Sequence, residues 1–176
     1  MLLKLPYELG NDLEFYLCER YPAISTDWIG GGLGPKITPQ EPVRAFRKVV
    51  LDPVENTYSE QYVKLYIKNA SNVPLWQVMV YLLPTGGSWF VGIEQKNVTQ
   101  TVYLPNQPFP TDALAQNFAP ACGQSSALLA ANVLEPEEFV AVWVKCVVTY
   151  AQLVLSPSFD VSCAVVAVYN KTVGGN

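Results

Sequence analysis

The sequence contains no histidine, the side chain that proteins use most often as a general base near neutral pH and as a metal ligand. Serine and cysteine nucleophiles would therefore lack their usual base. The four cysteines, Cys18, Cys122, Cys146 and Cys163, form no CxxC pair, and their spacing fits neither a zinc site nor the disulfide framework of a small secreted domain. The sequence predicts a protein that is not an enzyme and that holds no metal or cofactor.

Charge is also scarce, since only 15% of the 176 residues are charged whereas 50% are hydrophobic. The 15 acidic and 11 basic residues give a net charge of −4, and no cluster of Lys and Arg is present to hold a phosphate backbone. We expect no nucleic-acid partner. A composition this apolar is typical of a subunit that buries surface in an assembly, and it favours a homo-oligomer.

Long hydrophobic runs are missing too. The longest, Phe139 to Val144 and Ala164 to Tyr169, fall far short of the ~20 residues that a membrane helix needs. The N-terminal stretch starts apolar, but Pro6 and Glu8 interrupt it before the hydrophobic region of a signal peptide could form. We expect a soluble protein without an export signal and without a membrane partner.

The chain does contain a succession of short β-strand patterns, rich in β-branched and aromatic residues and separated by Gly/Pro turns. The predicted strands are DLEFYLCER (12–20), RAFRKVVLDP (44–53), QYVKLYIKN (61–69), PLWQVMVYLL (74–83), SWFVGIEQ (88–95), VTQTVYLP (98–105), FVAVWVKCVVTY (139–150) and FDVSCAVVAVYN (159–170). These features predict an all-β fold, a single-domain antiparallel β-sandwich of immunoglobulin-like or jelly-roll type with long Gly/Pro-rich loops.

The predicted domain covers residues 1–170, with an extended arm at 23–42, a long loop at 105–126 and a flexible tail at 171–176. Glycines 30, 31, 32 and 34 and three prolines exclude a helix or a central strand in the arm. The triple glycine does not indicate a phosphate-binding loop, because no Lys-Ser/Thr pair follows it. Connections this long in a compact domain are usually functional or contact a neighbour, and we expect inter-subunit contacts from both.

Two strand patterns predict which faces are buried. In 61–69, alternate residues are predicted to face the core, and the intervening ones to face solvent or a partner: Tyr62, Lys64, Tyr66 and Lys68. In 74–83 both faces are largely apolar, with Trp76 on the side of Val78, which predicts a central strand covered on both sides.

The last two strand patterns resemble a hairpin. If they pair antiparallel, Cys146 and Cys163 come close on the buried face. The geometry would permit a disulfide, but without an export signal two reduced core thiols are favoured. The adjacent acids Glu137 and Glu138 are interpreted as solvated charges in a turn.

Aromatic and other apolar side chains are the remaining candidates for binding. The interface candidates lie in the arm, in outward strand faces and in the long loop: Trp28, Ile29, Leu33, Tyr62, Tyr66, Met79, Phe109 and Phe118. Trp28 and Trp89 lie beside glycine-rich turns and are predicted to be exposed, which makes them alternative candidates for stacking on sugars. Trp76 and Trp143 lie inside strands and are interpreted as packing residues.

The order of these segments resembles a family of small structural proteins encoded in tailed-bacteriophage genomes. The stretches that carry the resemblance are LEFYLCE, WIGGGLG, YVKLYIKNAS, WQVMVYL, LEPEEFVAVWVKCVVTY and DVSCAVVAVYN, which together span roughly residues 13–170. The chain departs from the family pattern at Lys145 and Cys146, where the family tends to carry two arginines, and in its shorter middle.

The resemblance implies a virion structural protein that is assembled in the host cytoplasm and acts by subunit–subunit binding. Its position would be capsid decoration or cement, or the neck, baseplate or tail. The implied partners are major capsid or tail proteins and copies of itself, and no catalytic residues are carried over. The alternative function is a carbohydrate- or receptor-binding module of a fibre or baseplate, with a host-surface glycan as ligand.

Overall fold

The computed structural model describes residues 2–4, 12–19, 29–38, 51, 53–54, 58–99, 102–103, 118–155 and 162–171. The strands in these ranges are β1 (Leu2–Lys4), β2 (Leu13–Cys18), β3 (Ile29–Gly30), β4 (Leu33–Lys36), β5 (Tyr58–Asn69), β6 (Leu75–Thr85), β7 (Ser88–Lys96), β8 (Val102–Tyr103), β9 (Leu128–Leu134), β10 (Phe139–Thr149) and β11 (Ser162–Lys171). A short helix, α1 (Tyr150–Leu155), follows β10. In the part of the chain that the structure describes, no helix has the length and apolarity to cross a membrane.

The strands form two main sheets. Sheet I has the strand order β1-β11-β6-β9, and sheet II has the order β4-β2-β5-β10-β7. The pairings are antiparallel except that of β1 with β11, and β3 pairs with β8 apart from both sheets. The predicted all-β sandwich is confirmed.

The core lies between the two sheets because alternate residues of each strand point inwards. Sheet II contributes Phe15, Val63, Leu65, Ile67, Val91, Val140, Val142 and Val144, and sheet I contributes Leu75, Val78, Val80, Leu82, Leu134 and Val165, among others. Most of these side chains are β-branched or Leu, which pack well on a pleated surface. The inward face predicted for 61–69 is therefore confirmed.

A two-residue turn carries the chain from sheet I to sheet II. Gly86 and Gly87, between β6 and β7, have φ values of 66° and 71°, which glycine adopts without steric cost. A Cβ on Gly87 would also lie 3.3 Å from the carbonyl oxygen of Val147. The turn between the strand patterns 74–83 and 88–95 thus lies at Gly86 and Gly87, after β6 has continued to Thr85, and Gly87 is favoured there for both reasons.

The hairpin predicted for the last two strand patterns is wrong. β10 lies in sheet II and β11 in sheet I, because the connection between them is far longer than a hairpin turn and begins with α1. Cys146 and Cys163 are both buried in the core, and none of the four cysteines forms a disulfide bond. Burial raises the pKa of the Cys146 thiol to about 12 and that of Cys163 well above its ordinary value. The interpretation as reduced core thiols agrees with this placement.

Several predicted segments lie wholly or largely outside the described residues. These are the arm at 23–28 and 39–42, the strand at 44–53 apart from Leu51 and Pro53, the loop at 105–117 and the tail at 172–176. Of the strand predicted at 98–105, Val102 and Tyr103 form β8. β11 continues to Lys171, one residue into the predicted tail.

Gly34, in the edge strand β4, is expected to tolerate no side chain. A Cβ there would lie 2.5 Å from the carbonyl oxygen of Cys18 and 2.8 Å from its carbon, so the backbone of β2 or β4 would have to move. We expect Gly34→Ala to destabilise the protein by about 1–3 kcal/mol, measured by denaturant unfolding.

Gly32 provides the matched control, because a Cβ there would meet nothing closer than the Glu19 Oε2 atom at 3.9 Å. We expect Gly32→Ala to change the free energy of unfolding by less than about 0.5 kcal/mol. Equal effects of the two substitutions would contradict the close approach of β4 to β2.

Candidate interaction surfaces

The outer face of sheet II is covered by other parts of the same chain. The Tyr66 hydroxyl donates a hydrogen bond to the carbonyl oxygen of Gly31, and Leu33 packs against the cluster that contains Tyr66. The Phe118 ring meets the Tyr62 ring edge-on, with centroids 5.5 Å apart. Tyr62 and Tyr66 are consequently buried. The prediction that they present a surface to another subunit is wrong.

The described parts of the arm and of the long loop pack on the chain's own sheets. In the arm, β4 pairs with β2. In the loop, Ala119 pairs with Val91 on the edge of sheet II, and Ala121 and Gly123 exchange backbone hydrogen bonds with Leu82 of sheet I. Leu33 and Phe118, proposed from the sequence as interface residues, therefore pack over the outer face of sheet II. Contacts of these parts with another subunit stay a prediction.

A lysine–glutamate ion pair lies beneath this cover. Lys64 Nζ is 3.2 Å from Glu94 Oε2, and both side chains are fully buried. The Trp143 indole N–H donates a hydrogen bond to Glu94 Oε1, and Lys64 Nζ lies 5.2 Å and 5.5 Å from the Tyr66 and Trp143 ring centroids. Burial lowers the pKa of Lys64, whereas the negative charge of Glu94 raises it. The sequence prediction of a solvent- or partner-facing lysine is wrong.

The local sequence explains how the pair fits on a sheet face. Lys64, Trp143 and Gly92 are opposite one another across β5, β10 and β7. A Cβ on Gly92 would lie 3.2 Å from Phe118. Because Gly92 has no side chain, the Phe118 ring can occupy the space above it. A lysine beside a carboxylate could exchange protons, but in this closed arrangement neither group is accessible to a substrate. The pair is therefore a structural element.

Trp89 is part of the core. It is 2% exposed, and its indole N–H donates a hydrogen bond to the carbonyl oxygen of Gly86 at 2.5 Å. The prediction that Trp89 is exposed and free to stack on sugars is wrong. Trp28 and Phe109 lie outside the described residues, and for Ile29 only the backbone is described, within β3.

Sheet I has an exposed outer face, in contrast to sheet II. Trp76, Leu83 and Leu129 are 47%, 51% and 46% exposed, and Met79 and Tyr81 are partly exposed. The strand register places these residues side by side with apolar residues of the neighbouring strands. Leu83 is opposite Ala164, Tyr81 is opposite Val166, and Met79 lies between Val168 and Leu129. We define the sheet I patch as Trp76, Met79, Tyr81, Leu83, Leu129, Val133, Ala164, Val166 and Val168, of which Val166 is buried and the others are at least partly exposed.

A β-bulge places Trp76 on this face. Gln77 has a φ of 49°, and the pairing of β6 with β11 gains one residue on β6 here, since Val168 is opposite Met79 but Asn170 is opposite Trp76. At a bulge of this kind two successive residues oppose one on the neighbouring strand. Trp76 and Gln77 are both exposed here, whereas Val78 is buried. The predictions that Trp76 shares a face with Val78 and that β6 is covered on both sides are wrong.

The sheet I patch contains no charged residue. At its margin, the Asn170 amide donates a hydrogen bond to Gln77 Oε1 at 2.7 Å. Lys171, the next residue, is paired with Asp12 at 2.8 Å. Of the described interface candidates proposed from the sequence, only Met79 lies on the patch. The apolar outward residues of β6 were the signal that could have identified it.

Glu137 and Glu138 lie in ion pairs at one end of the sandwich. Glu137 pairs with Lys68, and Glu138 accepts hydrogen bonds from Lys96, Asn97 and the backbone N–H of Glu135. The bond from Lys96 holds the pKa of Glu138 below its ordinary value. Glu138 thus fastens the turn before β10 instead of being simply solvated. Within the described ranges, no group of three Cys, Asp or Glu residues is placed to hold a metal ion.

No protein-family model, curated protein or solved structure matches this chain. The candidate surface is therefore defined by the geometry of this chain alone.

Proposed function

We propose that this chain is a structural subunit of a tailed-bacteriophage particle and that it binds neighbouring subunits through the sheet I patch. Its place would be capsid decoration or cement, or the neck, baseplate or tail. The observation that carries the binding role is the exposure of Trp76, Leu83 and Leu129, each about half exposed on one uncharged sheet face. Contiguous exposed apolar patches mark interaction surfaces in soluble proteins.

The composition of the patch supports the same role. Interface centres are depleted in charged residues and enriched in aromatic residues and Met, and the patch contains Trp76, Tyr81 and Met79. The particle itself is proposed from the order of sequence segments that resembles phage structural proteins. The patch supports binding, and the resemblance supports the setting in which the binding takes place.

Particle association tests the proposal. Particles assembled from the genome that carries this gene would be purified on a density gradient and labelled with an antibody to the chain. We expect the wild-type chain to sediment with particles, and we expect Trp76→Arg to reduce incorporation by about tenfold or more, because arginine places a charge in an apolar contact.

Tyr58→Arg is the matched control. Tyr58 is 59% exposed and lies on β5 of sheet II, away from the patch, so we expect its variant to be incorporated like the wild type. A chain that does not sediment with purified particles would contradict the virion role. Normal incorporation of Trp76→Arg would contradict the assignment of the patch.

A further inference from the structure

We infer that the sheet I patch binds the same patch of a second copy, so that two chains form a two-fold dimer with their sheets I face to face. The inference rests on the proposed function, since it names the partner of the same surface. The charge, the area and the arrangement of the patch fit a second copy of this chain as the partner.

The distribution of charge makes the sheet I patch the face through which a second copy can approach. Each chain has a net charge of −4, so two copies repel each other over most approaches. The nine residues of the patch carry no charge, and the polar pair at its margin, Gln77 and Asn170, is hydrogen-bonded internally. Contact through this face therefore brings no like charges together within the patch. A strongly charged partner would find no complementary group on it.

The area of the patch is sufficient for a reversible dimer. β6, β11 and β9 are 11, 10 and 7 residues long, and at about 3.3 Å per residue and about 4.8 Å between strands they form a face of about 450 Å². Two such faces bury about 900 Å² in total, which lies in the range of weak, transient interfaces. We therefore expect a dimer that forms at micromolar concentrations and dissociates on dilution.

The positions of the largest side chains define the two-fold arrangement. Trp76 lies near one end of β6 and Leu83 near the other, with Met79 and Tyr81 between them. In a two-fold contact, residue i of one copy meets residue j of the other, and j meets i. A two-fold axis through the middle of this stretch of β6 brings Trp76 of each copy onto Leu83 of the other, and Met79 and Tyr81 to the centre.

The first experiment measures the oligomeric state by sedimentation equilibrium over a range of chain concentrations. We expect the wild type to show the mass of two chains at micromolar concentration, and Trp76→Arg and Leu83→Arg to raise the dissociation constant by about tenfold or more. Tyr58→Arg should leave it unchanged. Far-UV circular dichroism and thermal unfolding identify any variant that fails to fold, and the two patch variants are independent of each other.

The second experiment tests the two-fold arrangement by charge exchange. Trp76→Lys and Leu83→Glu should each dissociate alone. In the mixed dimer, one contact becomes Lys–Glu and the other remains Trp76–Leu83. We expect this mixture to associate about tenfold more tightly than either variant with itself. Equal association of the mixture and the separate variants would overturn the two-fold arrangement.

The outcomes separate this inference from the proposed function. A wild-type monomer at every concentration overturns the dimer. If Trp76→Arg still prevents particle incorporation of that monomer, the patch binds a different virion protein and the proposed function stands. If the wild type dimerises through the patch but never sediments with particles, the inference stands and the virion role is wrong.

Discussion

Replacing Glu94 with leucine is expected to destabilise the protein by about 3–5 kcal/mol, the cost of leaving one charge of a buried pair without its partner. Lys64 would remain beneath the segments that cover the outer face of sheet II, with its ammonium group fully buried. The Trp143 indole N–H would lose its acceptor. Denaturant unfolding at pH 7 measures the change, with a constant m-value as the check that both states remain comparable.

The loss of stability in Glu94→Leu should become smaller as the pH rises. Burial already lowers the pKa of Lys64, and in Glu94→Leu the negative charge that opposes this effect is gone. The unfolded chain, with Lys64 near its ordinary pKa of 10.5, then binds more protons than the folded chain at alkaline pH. Stability therefore rises with pH in that range. We expect the difference between Glu94→Leu and the wild type to shrink from pH 7 to pH 10.

The double variant Lys64→Met, Glu94→Leu separates the pair from the packing around it. Apolar replacement of a whole buried pair is often neutral or stabilising, so we expect the double variant to be more stable than either single variant. The surface pair Lys36–Glu14 is the control, since Lys36 is half exposed, and Lys36→Met should cost less than about 1 kcal/mol. Additive losses in the double variant would show that Lys64 and Glu94 do not act as a pair.

The Lys64–Glu94 pair also shows what the alternation of residues in a strand does not determine. The alternation in β5 correctly places Lys64 on the face opposite to the core. Whether that face is covered depends on Gly31 and Phe118, which are distant in sequence and approach only in the folded chain. Periodicity defines the two faces of a strand, but it contains no information about what lies above each face.

The same limit applies to sheet membership. β10 and β11 have similar β-branched sequences, yet they belong to different sheets. The alternation of apolar residues predicted both strands with first and last residues within three positions of those observed. This works because the alternation is a local property of the chain. Which sheet each strand joins is not contained in that alternation. The turn at Gly86–Gly87 was predictable, because that backbone conformation favours glycine.

The outward position of Trp76 on the sheet I patch was missed for a different reason. Positive φ at Gln77 is rare for a residue other than glycine, and nothing in the sequence indicates it. This single dihedral shifts the pattern of β6 so that Trp76 faces outwards. Trp89 was missed in the opposite sense. The adjacent glycine turn predicted an exposed side chain, but this turn connects the two sheets and Trp89 is buried in the core.

Asn69 is the position at which the second large loss of stability is expected. Its side chain is buried, and its amide group donates hydrogen bonds to the carbonyl oxygens of Val73 at 2.9 Å and Leu134 at 2.8 Å. Its Oδ1 atom accepts from the backbone N–H and the hydroxyl of Ser71. This one amide therefore joins the end of β5 in sheet II to the end of β9 in sheet I.

Asn69→Ala is expected to destabilise the protein by about 2–4 kcal/mol, because each buried group left without a partner costs about 1–3 kcal/mol. Asn170→Ala is the matched control, since Asn170 is exposed and its amide donates to the side chain of Gln77. We expect that change to stay within about 0.5 kcal/mol in denaturant unfolding. Equal losses at the two positions would mean that the Asn69 hydrogen bonds do not hold the sheets together.

Asn69→Asp tests the same bonds with almost no change in shape. A carboxylate keeps the acceptor for Ser71 but turns its second oxygen towards the carbonyls of Val73 and Leu134, where the amide had donated. The repulsion raises the pKa of the introduced carboxyl group above its unfolded value, so the folded state binds the extra proton. Stability should then fall as the pH rises from 4 to 7, whereas Asn170→Asp should show no such slope. A flat profile for Asn69→Asp would contradict the direct contact between this side chain and the two carbonyl oxygens.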